Sequence, residues 1–334
     1  MSIDQARGPL AAFPSSDPDL RGRLAQGMAA VETGLRVATA SPYPFVTEAS
    51  RHLVQAGGKR FRPMLVLLAA QFGDPQAPGV VPAAVVVELT HLATLYHDDV
   101  MDAAGVRRGA PSANARWDNT VAILTGDFLF ARASDLLADL GPEAVRLQAR
   151  TFERLCTGQI RETVGPPAGA DPVEHYLSVL AEKTGSLIAT SGRFGALFSG
   201  AGPDVAAVLT RYGELIGVAF QLADDLLDVD GDPGVSGKTV GTDLRAGVAT
   251  LPVLLAHRDG DDPALRALLD GDLRDDHRLA DALAGLRSSR AMDTARAELA
   301  RWADRARDTL SSLPDVPARR ALEAACDSVV SRRA

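Results

Sequence analysis

Apolar residues recur every three to four positions through most of the chain, and short segments rich in Gly and Pro separate these periodic stretches. This period is that of an amphipathic α-helix, whereas a half-buried strand alternates between apolar and polar residues. We find no convincing alternating stretch. The pattern predicts helices over residues 19–39, 44–56, 62–72, 81–102, 119–140, 143–164, 173–199 (with a break near Gly185), 204–229, 292–313 and 316–332. The sequence therefore predicts an all-α protein.

The spacing of these helices indicates how the chain is organised. Residues 1–18, which contain Pro and Ser, precede the first predicted helix, and we expect them to form a flexible N-terminal lead. No long linker interrupts the remainder, so residues 19–334 are predicted to form a single domain. Asn119 is available to cap the helix over residues 119–140.

Composition limits the class of function. The 334 residues are 46% hydrophobic and 5% aromatic, the formal net charge is −8, and the basic residues form no stripe. Abundant Ala, Leu and Val with few aromatic residues favour helices over strands. Nucleic acid is not an expected partner of such a chain.

The N-terminus and the cysteines indicate the compartment. The first residues lack the basic start and apolar core of a secretory signal. Cys156 and Cys326 lie far apart without metal-ligand spacing, which suggests a reducing compartment. Polar residues, among them Glu88 and His91, interrupt the most apolar run, residues 80–96, so we predict a buried helix there and no transmembrane segment. A cytoplasmic protein is expected.

Two acidic clusters are the most informative motifs: "HDDVMD" at residues 97–102 and "DDLLD" at residues 224–228. In each cluster the first and last Asp are four residues apart and share a helix face, while the middle Asp is turned about 100° away. Like charges near the C-terminus of a helix repel each other and the helix dipole, and Mg²⁺ would relieve this because it prefers oxygen ligands. A solvated acidic helix end is the better interpretation of one such pair, but two copies, each followed by a Gly-containing loop with basic residues, favour metal sites. The carboxylates are Asp98, Asp99 and Asp102 in the first cluster and Asp224, Asp225 and Asp228 in the second.

Basic residues occur near the clusters in Gly-containing segments: "GGKRFRP", "VRRGAP", "EKTGS" and "GKTVGTDL". Gly lets the backbone approach an anion, and Arg donates paired hydrogen bonds to phosphate. His91 lies two helical turns before Asp98 on the same face, where a site residue and an ordinary core histidine are equally good interpretations. Carboxylates, a divalent metal and several Lys and Arg predict a diphosphate substrate. The apolar helices before the carboxylates predict a long apolar tail on that substrate.

Taken in order, these segments resemble one family. "GGKRFRP", "HDDVMD" with "RRG" after it, "GDFLFARA", "KTGSL", "FQLADDLLD" and "GKTVGTDL" occur between Gly57 and Leu244 in the order of the trans-isoprenyl diphosphate synthases, also called polyprenyl synthetases. The resemblance implies an all-α fold with helices around a central cavity, usually in a homodimer. It implies head-to-tail condensation of isopentenyl diphosphate with an allylic diphosphate.

The resemblance also assigns roles to individual residues. It implies about three Mg²⁺ ions per active site, held by Asp98 and Asp102 with support from Asp99, and by Asp224 and Asp228 with support from Asp225. The positions that match the allylic diphosphate site are Arg107, Lys183 and Lys238. The positions that match the isopentenyl diphosphate site are Lys59, Arg62, His91 and Arg108. Thr184 and Gln221 match polar groups near the allylic carbons. The six aspartates and Lys183 are the implied catalytic residues.

Product length is predicted from the residues before the first acidic cluster. In this family a bulky aromatic residue four or five positions before Asp98 stops chain growth, and these positions hold Thr94 and Ala93. A helical turn rises about 5.4 Å, close to one isoprene unit, so small residues here predict a long product of about C35–C50, such as a quinone side chain. Two alternatives stay open: Ala93 packs against a neighbouring helix, or Phe128 or Phe130 forms the floor of the channel.

Three other functions remain as alternatives. A short-chain synthase, with a product of about C15–C20, is the main one. A class I terpene cyclase would usually carry an Asn/Ser/Glu metal motif in place of the second acidic cluster and would lack "GGKRFRP". A non-catalytic subunit would be expected to have lost an acidic cluster, and both are intact.

Overall fold

The computed structural model describes residues 12–231, 240–259 and 262–332. These residues are mainly helical, as predicted. The α-helices are α1 Pro18–Ala38, α2 Pro44–Gln55, α3 Phe61–Ala69, α4 Val80–Met101, α5 Ala113–Arg116, α6 Asn119–Leu140, α7 Pro142–Val164, α8 Pro172–Leu180, α9 Ser186–Phe198, α10 Pro203–Asp230, α11 Thr242–Ala246, α12 Leu251–Asp259, α13 Pro263–Leu269, α14 Asp276–Arg287, α15 Arg290–Thr309 and α16 Pro317–Val330.

Short irregular elements connect some of these helices. Single 3₁₀ turns follow α3 at Ala70–Phe72 and α15 at Leu310–Ser312. A π-helical turn, Ala181–Gly185, joins α8 to α9. Two-residue strands, β1 Val106–Arg107 and β2 Ala110–Pro111, form an antiparallel hairpin after α4.

The chain forms two compact units. The first contains the residues up to Glu153, Leu187–Gly213 and Leu310–Ala325. The second contains Arg154–Ser186, Glu214–Thr309 and the residues from Cys326 onward. A single domain over residues 19–334 remains a prediction.

Helix α4 forms the centre of the first unit, where it packs along α6 and also against α1 and α3. It is apolar on nearly every side, as a helix enclosed by its neighbours must be. A Cβ atom at Gly126 of α6 would lie 3.1 Å from the carbonyl oxygen of Ala93, so glycine allows the two helices to approach closely. Tyr96 is fully buried, and its hydroxyl donates to the Ala49 carbonyl at 2.5 Å. These contacts fix the position of the acidic cluster at the C-terminal end of α4 within the unit.

Helices α4 and α10 have the length and apolarity of a membrane span. The share of the apolar window that is buried is 67% in α4 and 50% in α10. A core helix has the same length and composition, so these properties are weak evidence for a membrane span. Helix α4 contains the buried helix that the sequence predicts for residues 80–96.

The second unit has α12 at its centre, packed against α8, α13, α14 and α15. Leu251, Val253 and Leu255 of α12 are buried. Helix α15 buries Leu299 and Ala303, four residues apart on one face. The region after about residue 257, which carries none of the quoted motifs, therefore contributes to this unit's core.

The described part of the N-terminal lead packs against the first unit. Phe13 is 1% exposed and stacks on Phe61, with 4.7 Å between the ring centroids. Asp17 caps α1 through a hydrogen bond from the backbone N–H of Leu20 at 2.7 Å. Residues 1–11 lie outside the described residues, and the flexibility of the lead over residues 1–18 stays a prediction.

The boundaries of the predicted helices agree with the structure to within two residues when the 3₁₀ turns after α3 and α15 are included. The cap of α6 differs, because Asp118 rather than Asn119 occupies the capping position. Its Oδ1 accepts from the backbone N–H of Val121 at 2.7 Å. Asp and Asn cap helices about equally well, so the pattern alone does not separate two neighbouring candidates.

Candidate active site

One stripe of α4 is partly or fully exposed and consists of residues three or four apart: His91, Thr94, Asp98 and Asp102. The intervening Ala93 and Asp99 are fully buried. This spacing places the stripe on one side of the helix. The stripe therefore joins a predicted substrate-binding residue, a predicted chain-length residue and two predicted metal ligands.

Arg107 binds the first acidic cluster. Its Nε donates to Oδ1 of the buried Asp99 at 2.5 Å, and its Nη2 lies 3.6 Å from Oδ2 of Asp102. The second oxygen of Asp99 is buried without a hydrogen-bond partner. One guanidinium therefore offsets part of the charge of three carboxylates.

The hairpin after this cluster holds the next arginine. Its two central residues, Arg108 and Gly109, have φ angles of 55° and 75°, as in a type I′ turn. Such φ values are uncommon for a residue other than glycine. The Arg108 side chain donates to the carbonyl oxygens of Leu53, at 3.0 Å, and of Gly57. The pattern of the sequence did not predict this hairpin, because strands of two residues are too short to show alternation.

Arginines surround a buried glutamate in the middle of α4. Glu88 is 1% exposed, accepts from Arg60 Nη1 at 2.8 Å and lies 3.9 Å from Arg108 Nη2. Nε of Arg62 is buried without a hydrogen-bond partner. Burial lowers the pKa of Arg62 to about 10, against the opposing effect of Glu88, so it stays charged at neutral pH. The cluster carries more positive than negative charge, as an anion site requires. Lys59 is exposed nearby in sequence.

Arg60 has a different role from its neighbours in "GGKRFRP". The sequence groups it with Lys59 and Arg62 as a candidate for binding phosphate, but its side chain is buried in two ion pairs. Its Nε lies 2.7 Å from Glu32, and its Nη1 lies 2.8 Å from Glu88. Arg60 therefore holds protein groups together within the first unit.

His91 lies close enough to these arginines for their positive charge to affect its pKa. Burial lowers its pKa well below the usual 6.5, and the positive charges of Arg62 and Arg108 lower it further. The imidazole is therefore neutral at pH 7, where one nitrogen donates and the other accepts a hydrogen bond.

The second unit carries the second acidic cluster at the end of α10. Asp225 is buried and accepts hydrogen bonds from the Tyr176 hydroxyl and from Gln221 Nε2, the latter at 3.0 Å. The pKa of Asp225 is raised to about 6, mainly by burial; the two hydrogen bonds oppose this shift, and the charges of Asp224 and Asp228 add to it. Asp225 is thus an internal acceptor, which fits its predicted supporting role.

The outer carboxylates of this cluster are also engaged. Oδ1 of Asp224 accepts from Nη1 of Arg332 at 2.9 Å, and Arg332 lies over the ring of Phe220 with 4.3 Å to the centroid. Asp228 accepts from the backbone N–H groups of Thr242 and Asp243 at 3.1 and 2.9 Å. Asp224 and Asp228 remain partly exposed on α10.

Lys183 and Thr184 lie in the π-helical turn between α8 and α9, an element often found at functional sites. The extra residue of this turn explains the break predicted near Gly185. Nζ of Lys183 lies 2.6 Å from Glu162, and the Thr184 hydroxyl donates to Gln221 Oε1 at 3.3 Å. Lys238, a further predicted substrate ligand, lies outside the described residues.

The carboxylates fit a hard divalent cation. Within residues 12–231, 240–259 and 262–332, no group of three or more His, Cys, Asp or Glu side chains is arranged to hold a metal ion. Mg²⁺ does not need such a group, because it binds through one or two carboxylates and completes its shell with water and substrate phosphate. The unpartnered buried oxygen of Asp99 indicates that protein groups alone do not satisfy the first cluster.

The two predicted chain-length residues have different surroundings. Ala93 is fully buried on α4, and its carbonyl oxygen approaches Gly126 of α6. Thr94 is partly exposed on the same face as Asp98, and its hydroxyl donates to the His91 carbonyl at 2.8 Å. This geometry favours the alternative that Ala93 packs against a neighbouring helix, and it leaves Thr94 on the face that carries the acidic cluster.

Phe130, one of the alternative floor residues, belongs to an aromatic group in the first unit. Its ring centroid lies 4.4 Å from that of Phe152 and 5.8 Å from that of His97. Phe128 is partly exposed on α6. A role of either residue as a floor stays a prediction.

Among the described residues that contact the site without having been predicted are Glu88, Tyr176 and Arg332. Glu88 could have been found, because a single charge in an apolar helix is rarely buried unless it is paired. Tyr176 and Arg332 lie 49 and 108 positions from their aspartate partners, and no local pattern relates residues at such distances.

Comparison with known proteins agrees with the motifs. The polyprenyl synthetase family model matches residues 43–286. A nonaprenyl diphosphate synthase of Mycobacterium tuberculosis is 53% identical over 92% of each chain, and a dimethylallyltranstransferase of that organism is 42% identical over 94% of this chain and 97% of its own. The solved structure of a geranylgeranyl pyrophosphate synthase from Corynebacterium glutamicum, complexed with calcium and isoprenyl diphosphate, is 46% identical, covers 95% of this chain and 98% of its own, and has a TM-score of 0.84. The chain belongs to the polyprenyl synthetase family and has its all-α fold.

Proposed function

We propose that this prenyltransferase joins isopentenyl diphosphate head-to-tail to an allylic diphosphate and repeats the reaction to give an all-trans polyprenyl diphosphate of about C35–C50. Family membership supports the reaction class. The 53% identity to a nonaprenyl diphosphate synthase and the small side chain of Thr94 support a long product. A product of about C15–C20 is the second candidate, because a dimethylallyltranstransferase and a geranylgeranyl pyrophosphate synthase are also similar to the chain.

The distribution of charge in the first unit carries the proposal. Helix α4 ends in the partly exposed carboxylates of Asp98 and Asp102, which suit a divalent cation. Farther along the same helix, Arg62 and Arg108 lie near Glu88 with positive charge in excess. A negative and a positive region suit two diphosphates, one bound through a cation and one bound directly by guanidinium groups.

Mg²⁺, when bound, supplies Lewis-acid stabilisation of the charge that develops on the leaving diphosphate. The residues that would hold it are Asp98 and Asp102 in the first cluster and Asp224 and Asp228 in the second. Arg107 balances the buried Asp99, which would otherwise be an unpaired internal charge.

The chain's own residues bind and orient the two substrates. Lys59, Arg62 and Arg108 bind isopentenyl diphosphate, and neutral His91 adds a hydrogen bond without adding charge. Apolar residues of α4 keep water from the allylic cation that forms when the C–O bond of the allylic diphosphate breaks. The double bond of isopentenyl diphosphate then attacks this carbon, a C–C bond forms and a proton is lost. No side chain is assigned as the base, and we expect the released diphosphate to take the proton.

A cytoplasmic homodimer is proposed for the assembled enzyme. The homodimer rests on the resemblance to the family, and the compartment rests on Cys156 and Cys326, which lie far apart in the sequence without metal-ligand spacing. Sedimentation of the purified chain at several concentrations would detect the dimer.

The reaction is tested with labelled isopentenyl diphosphate, farnesyl diphosphate and Mg²⁺. We expect label to enter an apolar product only when all three are present. Asp98→Asn and Asp224→Asn keep side-chain size but remove a ligand charge, so each should lower turnover by about 10²-fold or more without loss of helical circular dichroism. Asp139→Asn, on the exposed side of α6, is the matched control and should retain activity. Near-normal turnover of either cluster variant at saturating substrate would contradict the assigned metal ligands.

A further inference from the structure

Glu88 lies between Arg108, an arginine of the predicted isopentenyl diphosphate site, and the buried Arg60. Its carboxylate is 1% exposed, binds Arg60 at 2.8 Å and lies 3.9 Å from Arg108. A buried ion pair is seldom more stabilising than apolar residues of the same volume. The side chains on either side of it, Val87 and Leu89, are apolar and buried. Stability of α4 alone therefore does not explain a glutamate at this position.

The two arginines that contact Glu88 both have left-handed backbones. The φ angle is 46° at Arg60 and 55° at Arg108. Left-handed residues other than glycine persist only where their surroundings hold them, and they concentrate at functional sites. Glu88 is a shared partner of these two strained residues, which come from different loops.

A second acceptor is shared by the same arginines. Nη1 of Arg60 donates to the Gly57 carbonyl at 3.3 Å, and Nη1 of Arg108 donates to the same oxygen. A Cβ atom at Gly58 would lie 2.8 Å from Cζ of Arg108, so the glycines of "GGKRFRP" make room for that guanidinium. Glu88 and Gly57 together join the loop before α3 to the hairpin after α4.

We propose that Glu88 is a positioning residue for isopentenyl diphosphate: together with Arg60 it holds Arg108 in place so that the guanidinium groups of Arg62 and Arg108 receive the diphosphate, and it does not touch the substrate. This inference rests on the proposed prenyltransferase function. Glu88 also offsets the mutual repulsion of Arg62 and Arg108, which lie near enough for each charge to affect the other.

The substitution Glu88→Gln tests the role because it keeps the size of the side chain and removes its charge. We expect the Michaelis constant for isopentenyl diphosphate to rise about tenfold or more and that for farnesyl diphosphate to change less than about threefold. The direction of the change in the Michaelis constant for isopentenyl diphosphate separates a positioning role from a purely Coulombic one. A purely Coulombic role predicts tighter binding of the anion, since the substitution makes the site more positive. A lower Michaelis constant for isopentenyl diphosphate would therefore overturn the proposal.

Glu32→Gln is the matched control. Glu32 also pairs with Arg60, at 2.7 Å, but its side chain is 34% exposed and it makes no ion pair with Arg108. We expect this variant to keep the Michaelis constant for isopentenyl diphosphate within about twofold. An equal rise in both variants would assign the effect to the charge balance of Arg60 and would overturn a specific role of Glu88.

A merely structural role is separable from positioning. The Michaelis constant does not depend on the fraction of enzyme that folds, so a lower melting temperature with an unchanged constant would overturn the proposal. If Glu88→Gln yields no folded protein, the second variant is Glu88→Asp, which keeps the charge but moves the carboxylate away from the arginines. A rise of about threefold or more in the Michaelis constant for isopentenyl diphosphate would support positioning, and no rise would contradict it. Failure of the proposed function is distinct, because the unmodified enzyme would then incorporate no isopentenyl diphosphate.

Discussion

His91 is a histidine whose protonation state is set by its neighbours. Its position on the face of α4 that carries Asp98 was predictable from helical spacing, but its charge was not. The lowered pKa arises from burial and from guanidinium groups that belong to α3 and to the hairpin. A residue that stays neutral beside Arg62 and Arg108 leaves their positive charge available to a diphosphate.

The neutral state of His91 predicts a pH-dependent stability. Its pKa is about 6.5 in the unfolded chain and well below that in the folded protein, so below pH 6.5 the unfolded state binds one more proton. A depressed pKa in the folded state means that stability is present above pH 6.5 and is lost as the pH falls. The expected loss between pH 7 and pH 5 is up to about 2 kcal/mol, the full value applying to an imidazole that stays neutral at pH 5 in the folded protein. Chemical unfolding of the wild type and His91→Gln at both values should show their difference in free energy of unfolding change by this amount. The same difference at both pH values would show that the pKa of His91 is not lowered in the folded protein.

Arg60 and Arg62 show what a motif does not resolve. They stand two positions apart in "GGKRFRP" and are equivalent by residue type. Arg60 forms ion pairs with Glu32 and Glu88, whereas the Nε of Arg62 is buried and has no hydrogen-bond partner. The partners of Arg60 lie 28 positions away on either side, so only the folded chain separates the two roles.

Helix α4 is the element whose features were most fully predicted. Its ends, its burial and its acidic face follow from apolar periodicity and from the four-residue spacing of Asp98 and Asp102. The apolar pattern of the sequence did not predict which helices pack against each side of α4. Gly126 allows α6 to pack close to the backbone of Ala93. The two adjacent chain-length candidates, Ala93 and Thr94, therefore have different surroundings.

A bulky residue at position 94 should shorten the product. Thr94 shares the exposed face with Asp98, so the ring in Thr94→Phe would project across the route of a chain whose diphosphate is anchored there. Overpacking an apolar channel costs about 1–3 kcal/mol, and this cost would oppose each further elongation. We expect mainly products of about C15–C20, with the first condensation retained. Thr94→Val keeps the size of the side chain and should keep the long product. Thin-layer analysis of dephosphorylated products would show the shift, and equal lengths in both variants would remove Thr94 from the route.

At the scale of the whole molecule, each compact unit carries one acidic cluster and an arginine that pairs with it. The first unit pairs Arg107 with Asp99, and the second pairs Arg332 with Asp224. The fold class and the family were predictable because helices and motifs are local features. The two units were not, because Leu187–Gly213 and Leu310–Ala325 join the first unit through contacts with residues far away in sequence.

The length of the product made by the unmodified chain tests this account most directly. The purified protein would be incubated with farnesyl diphosphate, Mg²⁺ and excess isopentenyl diphosphate, and the dephosphorylated products would be measured by mass spectrometry. We expect a series of all-trans alcohols that ends at about C35–C50, since Thr94 leaves the route along α4 open beyond the first turn. Products that stop at about C15–C20 would contradict the long-chain function. No incorporation of isopentenyl diphosphate would contradict the prenyltransferase reaction itself.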